Sequence, residues 1–575
     1  MVHKLLFFFL LSVLSISASI SPDWAKDVVW YQIFPERFNN GDLNNDPTRA
    51  SLDYSEHVPT SWEVREWQSE WFERDEWEHE MSPHFHQTLQ HRRYGGDLQG
   101  VIDRLDYLKA LGINGIYFNP LFYANSLHKY DGRSFHHIDP YFGPDPQGDL
   151  ALIAQETSSP KTWQWTAADK LFLKLLREAK ARGIRVIIDG VWNHSGRDFF
   201  AFADIREKSR QSIYTSWYNI ISFDDPGTAG NEFDYHAWHG FKSLPEFADN
   251  RSGDSLSPGP KYYIFKATQR WMDPNGDGDP SDGIDGWRLD VAEEVPDGFW
   301  QEWHAYIRKI NPEVFTSAEI WGSAAGFLED TRFASAMNYR GFAIPVKGWL
   351  IDESISATEF AGRLEYERES YDDDTAFVLQ NLVDSHDTQR VASAIANRET
   401  WEYYKSDDWF DYDDGERVNA RTPGYDNGPP DEDGRRIWKM VALFQATYVG
   451  APMIYYGTEL GMWSADDPED RMPTWWHRKD DEIFTTYQKV LQLRHDRPAL
   501  RRGHYRVLET RDDAQVFAFE RSLKDERIVI IINRGKGDVN LNVDYLDGLQ
   551  LLYATDPDVS SWRLPRLSAV VYGTR

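Results

Sequence analysis

The 575-residue chain contains no cysteine, and this absence removes several classes of protein at once. Disulfide scaffolds, thiol nucleophiles, cysteine-ligated zinc, iron–sulfur clusters and lipoprotein anchors are all excluded. Positive charge is also scarce, because 62 Lys and Arg stand against 93 Asp and Glu, which gives a net charge of −31. Such a negative surface repels phosphate backbones, so we expect no nucleic-acid partner.

Long apolar runs are confined to the start of the chain. His3 and Lys4 precede an apolar run over residues 5–14, and small residues follow at 15–19. This pattern predicts a cleaved signal peptide over residues 1–20. A membrane anchor is the alternative, but the run is too short to cross a bilayer comfortably. We therefore expect an exported protein, secreted or periplasmic, with no membrane association after cleavage.

Aromatic residues are abundant, at 15% of the chain. A core alone does not require this excess, whereas flat apolar ligands such as neutral sugars bind well to aromatic faces. Hydrophobic residues make up 41% and charged residues 27%, which is typical of a folded globular protein and excludes disorder as the main state.

From about residue 28, short apolar runs alternate with amphipathic helical stretches, a pattern typical of a parallel sheet with crossover helices. The predicted strands are 28–34, 113–118, 185–191, 286–291, 314–320, 336–339, 377–383 and 452–456. The clearest predicted helices are 98–111, 167–182, 300–310, 435–449 and 482–497. Eight such units predict an α/β fold of the (β/α)₈ (TIM) barrel type, with its chemistry at the C-terminal ends of the strands.

Segments too long to be simple crossovers set the domain organisation. The barrel is predicted over 21–194, with an insertion at 47–92, and again over 261–503, where 397–433 is rich in Asp, Gly and Pro. An inserted domain is predicted over 195–260. After residue 503 alternating apolar runs predict a C-terminal all-β domain, a β-sandwich, over 504–575.

Polar residues stand at or just past the ends of several apolar strands. They are Asp189, Asn193, His194, Arg288, Asp290, Glu319, His386 and Asp387. A carboxylate there is costly unless it has a partner, so their convergence at one barrel mouth indicates a functional site. Any one of them alone is equally well explained as a capped or ion-paired strand end, and either histidine as a packed core residue.

Asp290 and Glu319 lie 29 residues apart, on neighbouring strands that face one cavity. Retaining glycoside hydrolysis uses two carboxyl groups about 5 Å apart, one ionised as the nucleophile and one protonated as the acid. Arg288 lies two residues before Asp290, on the same strand face, and is expected to keep it ionised. Apolar neighbours of Glu319 favour its protonated form.

Four segments resemble the signature regions of the α-amylase family, glycoside hydrolase family 13, in order and spacing. They are Asp189–His194 (DGVWNH), Gly286–Glu294 (GWRLDVAEE), Ala318–Trp321 (AEIW) and Leu382–Asp387 (LVDSHD). A fifth, SLPEF at 243–247, is similar to the motif that ends the family's domain B, the inserted domain here. The resemblance implies Asp290 as nucleophile, Glu319 as general acid and base, and Asp387 as the third carboxylate, which binds ring hydroxyls.

The resemblance also implies sugar-binding residues. His194 and His386 are expected to bind the sugar in the −1 subsite, Arg288 to orient Asp290, and Tyr130 to stack on that sugar. Tyr130 as an ordinary loop aromatic is the alternative. Asp467 and Arg471 match a pair that reaches the same region, and a simple surface ion pair is the alternative for them.

Two loops rich in Asp and Asn are predicted to bind Ca²⁺, since hard oxygen ligands suit this ion. The first comprises Asn40, Asp42, Asn45, Asp46, Gly95 and Asp97, and resembles a calcium site of neopullulanase-like members. The second comprises Asp273, Asn275, Asp277, Asp279 and Asp282, and begins like an EF-hand loop, although position twelve is Ile284 instead of Glu. A turn rich in Asx and Gly is the alternative for both.

The main functional hypothesis is a secreted, monomeric, retaining hydrolase that cuts internal α-1,4 bonds of starch, glycogen or maltooligosaccharides. The enzymatic alternative is a neopullulanase or cyclomaltodextrinase with α-1,6 or ring-opening activity. Glu293 and Glu294 favour this alternative, because typical α-amylases have Lys-His there. An inactive binding barrel is the non-enzymatic alternative, but such proteins usually lose the carboxylates retained here. The sequence leaves transglycosylation open.

Overall fold

The computed structural model describes residues 21–328, 332–398, 420–541 and 543–575. The predicted signal peptide at 1–20 and residues 399–419 of the 397–433 segment lie outside these ranges. Within the described ranges, no helix is long and apolar enough to cross a membrane.

Eight parallel strands in the described ranges form a barrel. They are β1 (Trp30–Ile33), β2 (Gly115–Phe118), β3 (Arg185–Gly190), β4 (Gly286–Leu289), β5 (Phe315–Ala318), β6 (Ser335–Ala336), β7 (Gln380–Asn381) and β8 (Ala451–Tyr455). Strands β1 to β6 pair in chain order, β8 pairs with both β7 and β1, and a bridge from Met337 to Gln380 closes the barrel. Nearly every strand residue is buried, as in parallel sheets covered on both faces. The predicted barrel is confirmed.

The principal helices pack around this barrel. They are Leu98–Leu111, Ala167–Ala181, Pro258–Met272, Asp297–Ile310, Ala357–Arg368, Glu432–Thr447 and Asp481–Asp496. The first shows how local sequence sets the bounds. Asp97 accepts a hydrogen bond from the N–H of Gly100 at the helix start, and Gly112 ends the helix in a left-handed conformation with φ of 102°.

The interior of the barrel is filled with side chains. Trp30, Tyr117, Ile187, Phe315 and Met453 are fully buried there, and the rings of Trp30 and Phe315 stack with centroids 5.1 Å apart. The barrel is therefore a packed core with no channel, so a ligand can approach the strand-end residues only at the mouth.

Two segments extend from the barrel near its mouth. The 195–260 segment contains the helix Phe200–Lys208 and a short hairpin of Ile220–Ser222 with Asp234–Tyr235. The 47–92 insertion contains the helix Glu76–Met81, and a buried ion pair of 2.8 Å joins Glu78 to Arg92.

The C-terminal region is an all-β domain, as predicted. The strands His504–Arg511, Val516–Leu523, Glu526–Asn533, Gln550–Ala554 and Ser568–Gly573 form an antiparallel sheet, and Val539–Asn540 pairs with Arg563–Leu564. On the barrel side, Phe517 packs against Phe360 and Phe444. This apolar contact fixes the domain on the barrel helices.

Candidate active site

A single guanidinium lies among three carboxylates at the barrel mouth. Arg288 Nη1 is 3.0 Å from Asp189 Oδ2 and 3.0 Å from Asp290 Oδ1, and its Nη2 is 2.9 Å from Glu319 Oε2. The strands explain the arrangement, since β3, β4 and β5 are neighbours and Asp189 lies directly beside Arg288 in the sheet. The structure therefore brings Asp290 and Glu319 together on one cation.

Three acidic side chains surround the one guanidinium of this cluster, so acid groups outnumber the cation. Burial raises the pKa of Asp290, and the negative charge of Glu319 raises it further, while Arg288 lowers it less than these two raise it. The sequence-based expectation paired Arg288 with Asp290 alone, whereas the structure divides the guanidinium among three acids. The guanidinium thus offsets only part of the effect that burial and Glu319 have on Asp290.

Glu319 is held in place through both carboxylate oxygens. Oε2 accepts a hydrogen bond of 2.8 Å from the N–H of Val291, and Oε1 accepts one of 3.2 Å from the indole of Trp321. Val291 has φ of +38°, a strained value for a β-branched residue. This strain occurs directly after Asp290, at the N–H that positions Glu319.

Asp387 is oriented by an arginine from a distant loop. Arg471 Nη2 lies 3.3 Å from Asp387 Oδ1, its Nη1 lies 2.8 Å from Asp467 Oδ1, and its Nε donates to the carbonyl of His386. Arg471 is buried, so the pair that sequence alone left as a possible surface ion pair lies against the third carboxylate.

A hydrogen-bond chain joins the two halves of the site. Gln32 Nε2 donates to His386 Nδ1 at 2.9 Å, so His386 Nε2 carries the proton and donates to the Tyr130 hydroxyl at 2.6 Å. Tyr130 in turn donates to Asp189 Oδ2 at 3.1 Å. The Tyr130 and His386 rings stack with centroids 5.7 Å apart. Two of the predicted sugar-binding residues, Tyr130 and His386, are thus connected to Asp189.

His194 is buried at the same mouth, with one ring nitrogen unpartnered among the described residues. Burial lowers the pKa of its imidazole to about 3, so the ring is neutral. Its Nε2 is buried and has no hydrogen-bond partner among the described residues, so a ligand hydroxyl could bind there. Trp238 stacks on the ring at 5.9 Å, and the neighbouring Phe241 has 59% of its surface exposed.

Sequence reasoning missed three residues of this site. Gln32 holds His386, Tyr117 donates to Asp189 Oδ2 at 2.8 Å, and Trp238 lies beside His194. Gln32 and Tyr117 carry polar atoms inside fully buried strands, so the argument applied to strand-end carboxylates could have found them. Trp238 lies outside the barrel strands, so the same argument does not apply to it.

The first predicted calcium loop has donors suited to a cation. The amide oxygens of Asn40 and Asn45 are buried without a hydrogen-bond partner among the described residues. Burial raises the pKa of Asp46 to about 6, to which the carboxylate of Asp97 adds. A Cβ on Gly95 would lie 2.0 Å from Asp46 Oδ1, so glycine is required there. Asp42 and Asp97 meet at this loop, where Asp97 accepts the N–H of Asp42 at 2.9 Å.

The second loop is a series of local turns. Asp273 accepts the N–H groups of Gly276 and Gly278, Asn275 and Asp277 bond to each other, and Asp279 donates its N–H to Asp277. No three of its carboxylates bring oxygens within 4.8 Å of one another. Asp282 Oδ1 is buried without a hydrogen-bond partner among the described residues. The carboxylates of the first loop do not meet this distance either, so the loops differ in their unpartnered oxygens, two amide oxygens in the first and one carboxylate oxygen in the second.

The barrel and its paired carboxylates are those of a glycoside hydrolase. A sequence model of the α-amylase catalytic domain matches residues 32–157 and 167–409. The chain therefore belongs to the α-amylase family, as its resemblance in sequence implied.

Relatives and solved structures agree with this assignment. Neopullulanase 2 of Thermoactinomyces vulgaris is 33% identical over 519 residues, which cover 90% of this chain and 71% of that protein. A cyclomaltodextrinase of a Bacillus species is 32% identical over 521 residues, covering 90% and 74%. Among solved structures, cyclic α-maltosyl-(1→6)-maltose hydrolase of Arthrobacter globiformis matches with a TM-score of 0.71 at 27% identity, covering 96% of this chain and 99% of that one.

Proposed function

We propose that this protein is a retaining α-glucan hydrolase of the neopullulanase and cyclomaltodextrinase type, with α-1,6 or cyclodextrin ring-opening activity. This is the enzymatic alternative of the sequence analysis, and the names of the relatives support it better than internal attack on long starch chains. The main observation that supports hydrolysis as the reaction is that Asp290 and Glu319 both contact the guanidinium of Arg288.

The proposed reaction has two displacements. A carboxylate oxygen of Asp290 attacks the anomeric carbon while Glu319 gives its proton to the departing glycosidic oxygen, so that a C–O bond forms to the enzyme as another breaks. Glu319 then takes a proton from water, whose oxygen attacks the same carbon and releases Asp290. Two inversions give net retention of the α-configuration.

The remaining residues are proposed to bind the reacting sugar. Asp387, held by Arg471 and Asp467, is suited to accept hydrogen bonds from ring hydroxyls, and the unpaired Nε2 of His194 to bind another hydroxyl. The Tyr130 ring supplies an apolar face for the sugar ring.

The walls of the mouth support a short or cyclic substrate. The 47–92 insertion packs on the loop that carries Asp467 and Arg471, because Trp67 donates its indole N–H to the carbonyl of Thr474 at 3.0 Å. His86 of the same insertion lies 2.7 Å from Glu469. The insertion thus builds up one side of the cleft, while the 238–241 segment with its exposed phenylalanine borders another.

Initial rates and product profiles on β-cyclodextrin, pullulan and amylose test the proposal. We expect cyclodextrin opening and pullulan cleavage at rates at least equal to amylose hydrolysis, with short products from the start. Rapid fragmentation of amylose into random long pieces, with cyclodextrin and pullulan untouched, would instead support the main hypothesis of the sequence analysis. Inclusion of a sugar acceptor in the same digests detects transglycosylation.

We further propose that Ca²⁺ binds the first loop through the amide oxygens of Asn40 and Asn45 and the carboxylate of Asp46, and stabilises the fold without entering the reaction. The second loop, around Asp273, is proposed as a weaker calcium site.

We also propose that the protein is exported, to the periplasm or outside the cell, with cleavage after residue 20. N-terminal sequencing of the exported protein tests this. A monomeric state is checked by light scattering.

A further inference from the structure

A second cluster of ligating side chains lies apart from the carboxylates of the mouth. His136 and His137 belong to the loop after β2, and Glu156 follows the helix Pro146–Ile153. The Nε2 atoms of the two histidines lie 3.0 and 2.8 Å from the same oxygen, Glu156 Oε2. Within the described residues, this is the one group of three His, Asp or Glu side chains whose ligand atoms all lie within 4.8 Å of each other.

The outer nitrogen of each imidazole is also engaged. His137 Nδ1 lies 2.9 Å from Asp169 Oδ2, and His136 Nδ1 lies 2.6 Å from the Tyr263 hydroxyl. Metal-binding histidines usually have this arrangement, in which an oxygen partner on one nitrogen fixes the ring while the other nitrogen faces the ion. Both rings are thus oriented with Nε2 towards one carboxylate.

The cluster is buried, and its neighbours limit its movement. The side chains of His136, His137 and Glu156 are exposed by at most 6%, and the Trp163 ring stacks on His136 at 4.0 Å. Tetrahedral Zn²⁺ with bonds of about 2.0–2.1 Å separates its ligands by roughly 3.3 Å, so each of the two histidine–glutamate distances would widen by about 0.3–0.5 Å.

We propose that His136, His137 and Glu156 form a Zn²⁺ site, with water as the fourth ligand. Two imidazoles and one carboxylate are a ligand set that Zn²⁺ takes in proteins. The ion would join the loop after β2 to the segment that precedes helix Ala167–Ala181, so its effect is on stability. The proposal does not depend on which glucan the enzyme cleaves.

A metal-free ion-pair network is the competing explanation. His137 Nδ1 lies 2.9 Å from Asp169 Oδ2 and its Nε2 lies 2.8 Å from Glu156 Oε2, so a doubly protonated ring can donate a hydrogen bond to each carboxylate. In that network a charged His137 bridges two carboxylates, and Nε2 keeps its proton. Zinc binding needs that nitrogen deprotonated, so the two states exclude each other and a binding measurement distinguishes them.

The test measures bound zinc and thermal stability in the full-length protein. Chelator-treated protein is dialysed against Zn²⁺ with Ca²⁺ in large excess, so that the calcium loops are saturated. We expect one equivalent of zinc and a raised Tm, with affinity at least about 100-fold weaker in Glu156→Gln. His57→Asn, at a histidine with 73% of its side chain exposed, is the matched control and should bind zinc as the wild type does.

Cobalt provides a second measurement that needs no folded variant. Co²⁺ added to the wild-type protein should give the intense visible absorption of a four-coordinate ion, which Zn²⁺ then abolishes. Absence of both a zinc-dependent rise in Tm and this absorption would overturn the proposal. Equal zinc binding by a folded Glu156→Gln variant and the wild type would overturn it as well.

Discussion

The substitution Glu319→Gln tests the assignment of the acid and base most sharply. The side chain is 7% exposed and bonded through both oxygens, so the amide keeps its size and part of its contacts but has no transferable proton. General acid–base catalysis contributes roughly 10²- to 10⁴-fold. We therefore expect hydrolysis of maltotriose or cyclodextrin to fall by that factor, about 2.7 to 5.4 kcal/mol in the barrier.

Comparing an oligosaccharide with α-maltosyl fluoride distinguishes the loss of the acid from a general loss of active-site structure. Fluoride departs without protonation, so the first turnover of α-maltosyl fluoride should fall by less than about tenfold. Later turnovers should be slow, because water then lacks its base. Azide attacks without a base and should restore turnover, giving an α-glycosyl azide of retained configuration.

The control is Glu302→Gln, a surface glutamate whose side chain is 51% exposed and pairs with Lys261. This substitution should leave the rates of hydrolysis of the oligosaccharide and of the fluoride unchanged. Equal losses on the oligosaccharide and the fluoride, or full activity on both, would refute the role of Glu319 as acid and base.

Three further predictions follow from the geometry. Tyr130→Phe removes a hydroxyl bonded to a histidine and an aspartate, which at about 1.5–3 kcal/mol should lower kcat/KM roughly 10- to 150-fold with little change in Tm. Because the charge of Glu319 raises the pKa of Asp290, Glu319→Gln should move the acid limb of kcat/KM for the fluoride to lower pH, and a shift to higher pH would contradict this. Gly95→Ala should abolish the rise in Tm that Ca²⁺ causes, whereas Gly253→Ala, also at positive φ but without a neighbour within 4 Å, should keep it.

The sequence predicts the barrel well because each strand is buried on both faces. Apolar runs such as 186–188 stand between amphipathic helices and predict all eight strands, seven of them with bounds that are too long and the last displaced by one residue. The predicted length exceeds the observed length by the largest factor in β6 and β7, which have two residues each. Buried residues continue past these two ladders, where only an isolated bridge from Met337 to Gln380 extends the pairing.

The site is predicted in part, since sequence gives position along a strand but not the direction of a long side chain. Arg288 was expected to serve only Asp290, and its sharing with Asp189 and Glu319 depends on where the guanidinium ends. The contact of Arg471 with Asp387 joins residues 84 positions apart through a loop, and no periodicity reports it.

The most direct test of the whole account is to find which side chain becomes attached to the sugar. Glu319→Gln protein is mixed with α-maltosyl fluoride, digested and examined by peptide mass spectrometry. We predict one maltosyl group on Asp290, because formation of the intermediate needs no acid and its hydrolysis lacks a base. A sugar attached at Glu293 or Asp387, or no adduct together with a first product of β-configuration, would contradict the retaining mechanism at this barrel mouth.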